Sequence, residues 1–383
     1  MISTGFSLAT ALTFAHLQRL VPELAKAASV RLGTEPPELL LCSAATDSAL
    51  GHRVAALLTD MGLGWESRTF ERGADDVDPG LYQAADAVLT VIVPAGGELP
   101  RELVATLAQW KVQLRALRRL SSAAPGQELA LELYLDDWAR CDPLRSMLVD
   151  LAARWEVDLT LAPSDSKRPR RRLIAFDMDS TLIQCEVIDE LARRAGVGDE
   201  VAAVTARAMR GELDFRSSFR QRMGKLKGLD AAQIEEVGAS LPLMSGAQSL
   251  LRSLRSRGHY TVILSGGFDY FARLVQSQIG MDEVHANQLQ IVQDKLTGEV
   301  NGDIVDAQRK VLLLGQIAER EGFAMRDTVA VGDGANDLPM LAAAGLGVAF
   351  HAKPLVRKTA PCAINYANLE ALLYVLGVPC AAD

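Results

Sequence analysis

Four short apolar runs in the carboxy-terminal half of the chain, LIAF (173–176), YTVIL (260–264), TVAV (328–331) and LGVAF (346–350), are separated by long stretches of helical periodicity. None alternates polar with apolar residues. Each run therefore predicts a strand buried on both faces, the mark of a parallel sheet covered by helices. The pattern predicts an α/β domain with a doubly wound, Rossmann-like core from residue 173 onward. Three of the four strands run straight into polar tips: Asp177-Met178-Asp179-Ser180-Thr181, Ser265-Gly266-Gly267 and Gly332-Asp333-Gly334-Ala335-Asn336-Asp337. Open parallel sheets collect ligands at the carboxyl ends of their strands, so these tips are expected to meet around one small anion and its counter-cation.

The residue types at the tips point to phosphoryl chemistry. Asp177 and Asp179 repel each other unless they share a cation or a proton. Mg²⁺ suits them, because a hard ion takes carboxylate and carbonyl oxygens and keeps waters that a phosphate can replace. An EF-hand reading of Asp-x-Asp-x-Thr fails, since Leu182 stands where the loop needs glycine and Ile188 where it needs glutamate. With the cation in place, one carboxylate can attack phosphorus in line while the other protonates the departing oxygen and later deprotonates water. Ser265 and the backbone amides around Gly266 and Gly267 can donate to phosphate oxygens. Asp333 and Asp337 can complete the metal shell, and Asn336 can donate to phosphate or substrate. Lys310, heading the helical run KVLLLGQIAER, is the candidate for neutralising the transferring group.

The chain has 383 residues, long enough for two domains. Upstream, strand and helix signals follow one another as ELLLC (38–42), RVAALLTDMG (53–62), WESRTF (65–70), AVLTVIVPA (87–95) and RELVATLAQW (101–110). The order resumes with ELALELYL (128–135), DPLRSMLVDLAARW (142–155) and VDLTLA (157–162), predicting an α+β ferredoxin-like region over 35–162. Leu58, Asp60 and Trp65 recur as Leu148, Asp150 and Trp155, which suggests an internal repeat. Residues 1–34 read as a helical extension, and PSDSKRPRRR (163–172) as a linker. A net charge of −8 disfavours nucleic acid as a partner. The five scattered cysteines disfavour a disulfide framework or a zinc site. No run approaches the roughly 18 to 20 apolar residues that cross a bilayer, so no membrane partner is expected and the expected location is the cytoplasm.

Residues 172 to about 375 resemble the haloacid dehalogenase-like (HAD) phosphatases, and among them the branch that hydrolyses phosphoserine, through AFDMDSTLIQCEVIDELA, ARAMRGELDF, LSGGFDYF and VAVGDGANDLPML. The resemblance implies Asp177 as nucleophile and Asp179 as general acid and base. It implies Mg²⁺ held by the Asp177 side chain, the Asp179 carbonyl and Asp333, with Asp337 in support, and Ser265, Gly266, Lys310 and Asn336 around the phosphate. It also implies a small helical cap inserted over about 186–246, in which Glu186 meets the substrate amino group, Arg222 meets its carboxylate, and Met209 and Phe215 close over the site. A zwitterionic substrate does call for one acid and one guanidinium. The implied reaction is Mg²⁺-dependent hydrolysis of O-phospho-L-serine to L-serine and phosphate, the last step of L-serine biosynthesis, in a domain running from 173 to 383. Two alternatives stay open: another small phosphomonoester as substrate, and an amino-acid-sensing module with a vestigial core. Residues 35–162 resemble the ACT domain, which adds an amino-acid effector and homodimerisation to the partners to be considered.

Overall fold

The computed structural model describes residues 2–8, 14–24, 29–34, 37–43, 48–71, 85–121, 128–136, 144–164, 171–210 and 212–379. The chain divides into two units, residues 1–168 with 371–383, and residues 169–370.

The first unit is one antiparallel sheet of β1 (Ile2–Leu8), β2 (Ser29–Thr34), β3 (Pro37–Ser43), β4 (Trp65–Glu71), β5 (Ala87–Val93), β6 (Leu114–Arg119), β7 (Leu129–Leu135) and β8 (Asp158–Pro163). Its order is β4-β1-β3-β2-β6-β7-β5-β8. Each half repeats the β-α-β-β-α-β arrangement of a ferredoxin-like module, and the halves join where Ser29 of β2 pairs with Arg118 of β6. On β5, Ala87, Leu89, Val91 and Val93 enter the main core, while Val88 joins Ala116 and Tyr134 in a second cluster. With apolar residues called for on both sides, AVLTVIV shows no alternation.

Three expectations differ from this unit. The segment 1–34 holds two strands around the helix Phe14–Leu24. Over residues 2–8, Ser3, Gly5 and Ser7 alternate with Ile2, Thr4, Phe6 and Leu8, a period of two that fits a strand. The repeat is a whole module rather than a fragment: Trp65 opens β4, whereas Trp155 ends a helix, so the matching residues are not structural equivalents. Finally, residues from 371 onward, expected to close the carboxy-terminal domain at 383, belong to the first unit. Leu372, Leu373, Tyr374 and Val375 are buried in a short helix against β5, and Arg118 Nη2 donates to the Gly377 carbonyl at 2.7 Å.

The second unit is built on β9 (Leu173–Phe176), β10 (Tyr260–Phe268), β11 (Glu283–Val292), β12 (Lys295–Asn301), β13 (Thr328–Gly332), β14 (Leu346–Phe350) and β15 (Cys362–Ile364), in the order β12-β11-β10-β9-β13-β14-β15. All neighbours are parallel except β11 and β12. The chain leaves β9 for β10 on one side and reaches β13 on the other, so the sheet reverses its winding at β9 and a crevice opens at the three carboxyl ends. Four helices, Val187–Arg194, Gly198–Met209, Phe215–Lys225 and Ala231–Ala239, form an insertion after β9. Its two connections run side by side: Ile183 bridges Leu243, and Gln184 N donates to Pro242 O.

Candidate active site

Asp177 follows β9 directly, and its N–H donates to Val331 O of β13 at 2.9 Å, which fixes where the side chain leaves the sheet. Asp337 starts the helix Leu338–Ala343, and its Oδ2 accepts from Gly334 N at 3.0 Å. Glycine is needed at 332, since a Cβ there would stand 2.5 Å from Asp337 Cγ. Lys310 joins these two tips: its Nζ donates to Asp177 Oδ1 at 2.8 Å and to Asp337 Oδ1 at 2.7 Å. The lysine sits one turn into the helix Ala307–Arg320, whose register is set by Asp306 accepting from Arg309 N.

Asp177, Asp333 and Asp337 are all buried, and each offers a carboxylate oxygen within 4.8 Å of the others. Three carboxylates against one ammonium leave an excess of two negative charges when all are ionised, in a place where isolated charge is costly. An oxygen-only set with that excess suits one hard divalent cation. Burial first, then Asp337, pushes the Asp177 carboxyl up to about 8 against the opposing lysine. Burial and Asp337 likewise push Asp333 up to about 7. At Lys310 burial opposes the charge, but Asp177 and Asp337 outweigh it and keep the ammonium protonated.

Asp179 turns the other way. Its Oδ1 accepts from Val187 N at 3.1 Å, at the start of the first insertion helix. Its Oδ2 lies beside Gly267, where an added Cβ would come within 2.6 Å of that oxygen and 3.1 Å of Ser265 Oγ. Asp179 is therefore outside the carboxylate cluster but next to the β10 tip. Burial, then Glu186 and Asp177, hold its carboxyl well above the usual range. Ser265 is buried and accepts from Gly267 N at 2.9 Å.

The haloacid dehalogenase-like hydrolase family matches this chain over residues 174–342, which contain all three tips. A phosphoserine phosphatase of Streptomyces coelicolor is 48% identical over 62% of this chain and 58% of its own length. One from Haemophilus influenzae is 48% identical over 58% of this chain and 70% of its own. The chain belongs to the haloacid dehalogenase-like hydrolases. A solved structure of a phosphoserine phosphatase phospho-aspartyl intermediate analogue superposes with a TM-score of 0.51 at 41% identity, covering 54% of this chain and 99% of that one. The chain thus spans little more than half of the Streptomyces relative, and nearly all of that solved structure.

In this member of the family the insertion and its first connection carry the candidates for substrate recognition. Glu186 is half-buried at the head of the first insertion helix and accepts from Ser180 Oγ at 3.1 Å. Ser180 takes a left-handed backbone, φ 57°, to make that turn. Arg222 lies in the last turn of Phe215–Lys225, with its Nε buried and without a hydrogen-bond partner. Its charge is felt by Asp189, Glu186 and Asp179, and burial pulls its pKa down. Phe215 reaches the β10 tip: its Cζ would stand 3.2 Å from a Cβ on Gly266. It stacks on Phe219, which packs against Phe268 of β10. The Met209 side chain lies outside the described residues. Asn336 Nδ2 donates to Asp337 Oδ1 at 3.4 Å. Cys185 is a free thiol whose pKa is pushed up to about 11 by burial and then Asp179, which argues against a reactive role. Among the described residues no helix is long and apolar enough to cross a membrane.

Proposed function

We propose that this chain hydrolyses O-phospho-L-serine to L-serine and inorganic phosphate, with Mg²⁺ as its cation and Asp177 as the residue phosphorylated in passing. The observation that carries the reading is the meeting of three strand tips: Lys310 clasps Asp177 and Asp337, and Asp179 stands beside Ser265. The names of the relatives supply the substrate class.

In the first half-reaction an Asp177 carboxylate oxygen attacks phosphorus, the bond from phosphorus to the serine oxygen breaks, and Asp179 gives its proton to that oxygen. Burial and the neighbouring carboxylates raise the Asp179 pKa and so favour its protonated form, and the Val187 contact on Oδ1 leaves Oδ2 on the reacting side. In the second half-reaction Asp179 takes a proton from water as the water oxygen attacks phosphorus, and the bond to Asp177 breaks to release phosphate. Lys310, the Ser265 hydroxyl and the Gly266 amide hold the phosphoryl oxygens throughout, and the Gly267 amide holds Ser265 Oγ in place. The Asp177 side chain, the Asp179 carbonyl and Asp333, with Asp337 in support, would hold Mg²⁺, which would supply the charge neutralisation that lets an anionic phosphoryl group approach a carboxylate.

Arg222 and Glu186 are read as the groups that choose the substrate, because a buried guanidinium nitrogen without a partner is one that a ligand carboxylate would satisfy. Phosphate release from O-phospho-L-serine, with Mg²⁺ and with a chelator, tests the activity. Arg222→Ala and Glu186→Gln are each expected to lower kcat/KM for O-phospho-L-serine about 100-fold, the worth of a charge-assisted contact with its orphaned partner. Turnover of p-nitrophenyl phosphate, which has neither group, should hardly change. Equal losses on both substrates would assign these residues to the fold and leave another phosphomonoester as substrate.

Cation binding must displace whatever protons the carboxylate cluster holds. With Asp177 and Asp333 near 8 and 7, Mg²⁺ affinity should rise from pH 6 to pH 8 by about tenfold per pH unit for each proton displaced, and flatten above that. Both carboxyls are raised in the folded state, so their contribution to metal-free stability is full below the ordinary value of 3.8 and is lost as pH rises toward 8. The increase in melting temperature on adding Mg²⁺ should therefore grow over the same window. A flat calorimetric affinity across pH 6–8 would show that the cluster is not the site.

We further read the first unit as ACT-like, serving assembly or amino-acid binding, which its doubled β-α-β-β-α-β order supports. Sedimentation of the full chain with and without L-serine tests that reading. The free thiol of Cys185 supports a reducing, cytoplasmic setting.

A further inference from the structure

The β10 tip departs from the ladder in a way that needs a support. Leu264 of β10 pairs with His285 of β11, and the next pair is Phe268 with Asn287. Ser265, Gly266 and Gly267 thus bulge opposite the single residue Ala286, and a bulge leaves backbone groups without ladder partners. One of these groups is taken up by a side chain. Asn287, 1% exposed, donates from Nδ2 to Gly266 O at 2.8 Å and accepts at Oδ1 from Val305 N at 2.8 Å. The two partners fix which way the amide faces, since a carbonyl can only accept and an N–H can only donate.

We propose that Asn287 is a positioning residue for phosphoryl transfer: by holding the Gly266 carbonyl it aims the Gly267 N–H at Ser265 Oγ, so that this hydroxyl turns its own O–H to the phosphate, and it ties the bulge to the start of the lysine helix. The peptide unit is planar and trans, so holding its carbonyl on one side points the Gly267 N–H to the other. That other side is where Ser265 Oγ accepts from Gly267 N at 2.9 Å and where Asp179 Oδ2 lies close by. The second contact works at longer range. Val305 precedes Asp306, the cap of the helix that carries Lys310 to Asp177. One buried amide thereby sets two donors of the phosphate cradle against each other. Aspartate at 287 would face the Gly266 carbonyl with a second acceptor, and serine would be too short to reach both partners.

The inference rests on the phosphatase reading of this site but not on the identity of the ester. In the full chain with saturating Mg²⁺, Asn287→Ser and Asn287→Leu are each expected to lower kcat about 30- to 300-fold, as for loss of one preset donor to a developing charge. The KM for O-phospho-L-serine should shift by less than about threefold, because Glu186 and Arg222 are untouched and the lost contact acts in the transition state. The same fall in kcat is expected on p-nitrophenyl phosphate. A wild-type protein active on p-nitrophenyl phosphate and inert toward phosphoserine would sink the substrate reading, while the variants still decide the role of Asn287. If a folded variant keeps its kcat within about twofold on both esters, if KM rises with kcat retained, or if neither variant folds, Asn287 only holds the sheet together and the proposal is wrong.

Discussion

Asp177→Asn is expected to slow phosphate release by at least about four orders of magnitude, while the metal-free protein melts at the same temperature or higher. Both halves follow from the same surroundings. The amide has nearly the shape of the carboxylate and can still accept from Lys310, but it is a far poorer nucleophile and cannot carry the phosphoryl group. Stability moves the other way because burial and Asp337 already make ionisation of Asp177 unfavourable in the fold, lifting its pKa to about 8. A neutral isostere removes that burden, and the relief should be larger at pH 8.5 than at pH 6, where the parent carboxyl is mostly protonated. Acid-quenched samples should show phosphate bound to the wild-type protein during turnover and none bound to the variant. Turnover within tenfold of wild type would remove Asp177 from the chemistry, whereas lost turnover with a collapsed melting temperature would make it a structural residue.

The parts of this site that were legible in the sequence are those in which chemistry and strand end are contiguous. LIAF and LGVAF have the same bounds in the structure as in the sequence reading, and Asp177 follows the first without a gap. The second tip was visible in its residues but not in its form: β10 continues through Ser265, Gly266 and Gly267 to Phe268, so the tip is a bulge within a strand rather than a loop after one. Asn287 carried no local signal, because a polar residue in the middle of a strand looks like any solvent-facing position until the bulge beside it is known. The β11–β12 hairpin, β1, β2 and β6 were also missed. In β2, β6 and β12, of six or seven residues each, polar and apolar residues mix over so few positions that period alone cannot separate strand from loop, and only pairing decides. The tail is a related case. Leu372 to Val375 are apolar enough to be core somewhere, but which core depends on contacts remote in sequence, with β5 and Arg118 in the first unit.

Lys310→Met tests the electrostatic core of the site more directly than loss of the nucleophile does. The lysine side chain is 1% exposed and its Nζ is shared between Asp177 and Asp337, themselves 7% and 0% exposed. Methionine fills similar space without charge, so the cost is mainly that of two carboxylates left facing each other in a buried pocket. Breaking a buried pair in this way typically costs about 3–5 kcal/mol. Protonation offers a partial escape: with the ammonium gone, Asp177 should titrate above its present value of about 8. The sign follows from this. A pKa raised further in the folded state takes stability away as pH rises, so the variant should be closest to wild type near pH 6 and furthest from it at pH 8 or above. A divalent cation can replace part of the missing positive charge, and saturating Mg²⁺ should therefore raise the melting temperature of the variant more than that of the parent. Turnover should not recover with it, since the phosphoryl oxygens still lack the lysine donor, and kcat is expected to stay about 100- to 1,000-fold low. Melting curves at pH 6 and 8.5, with and without Mg²⁺, separate the two roles. A destabilisation that ignores both pH and metal would mean that Lys310 packs the site rather than charges it, and a kcat within about tenfold of wild type would take it out of the phosphate cradle.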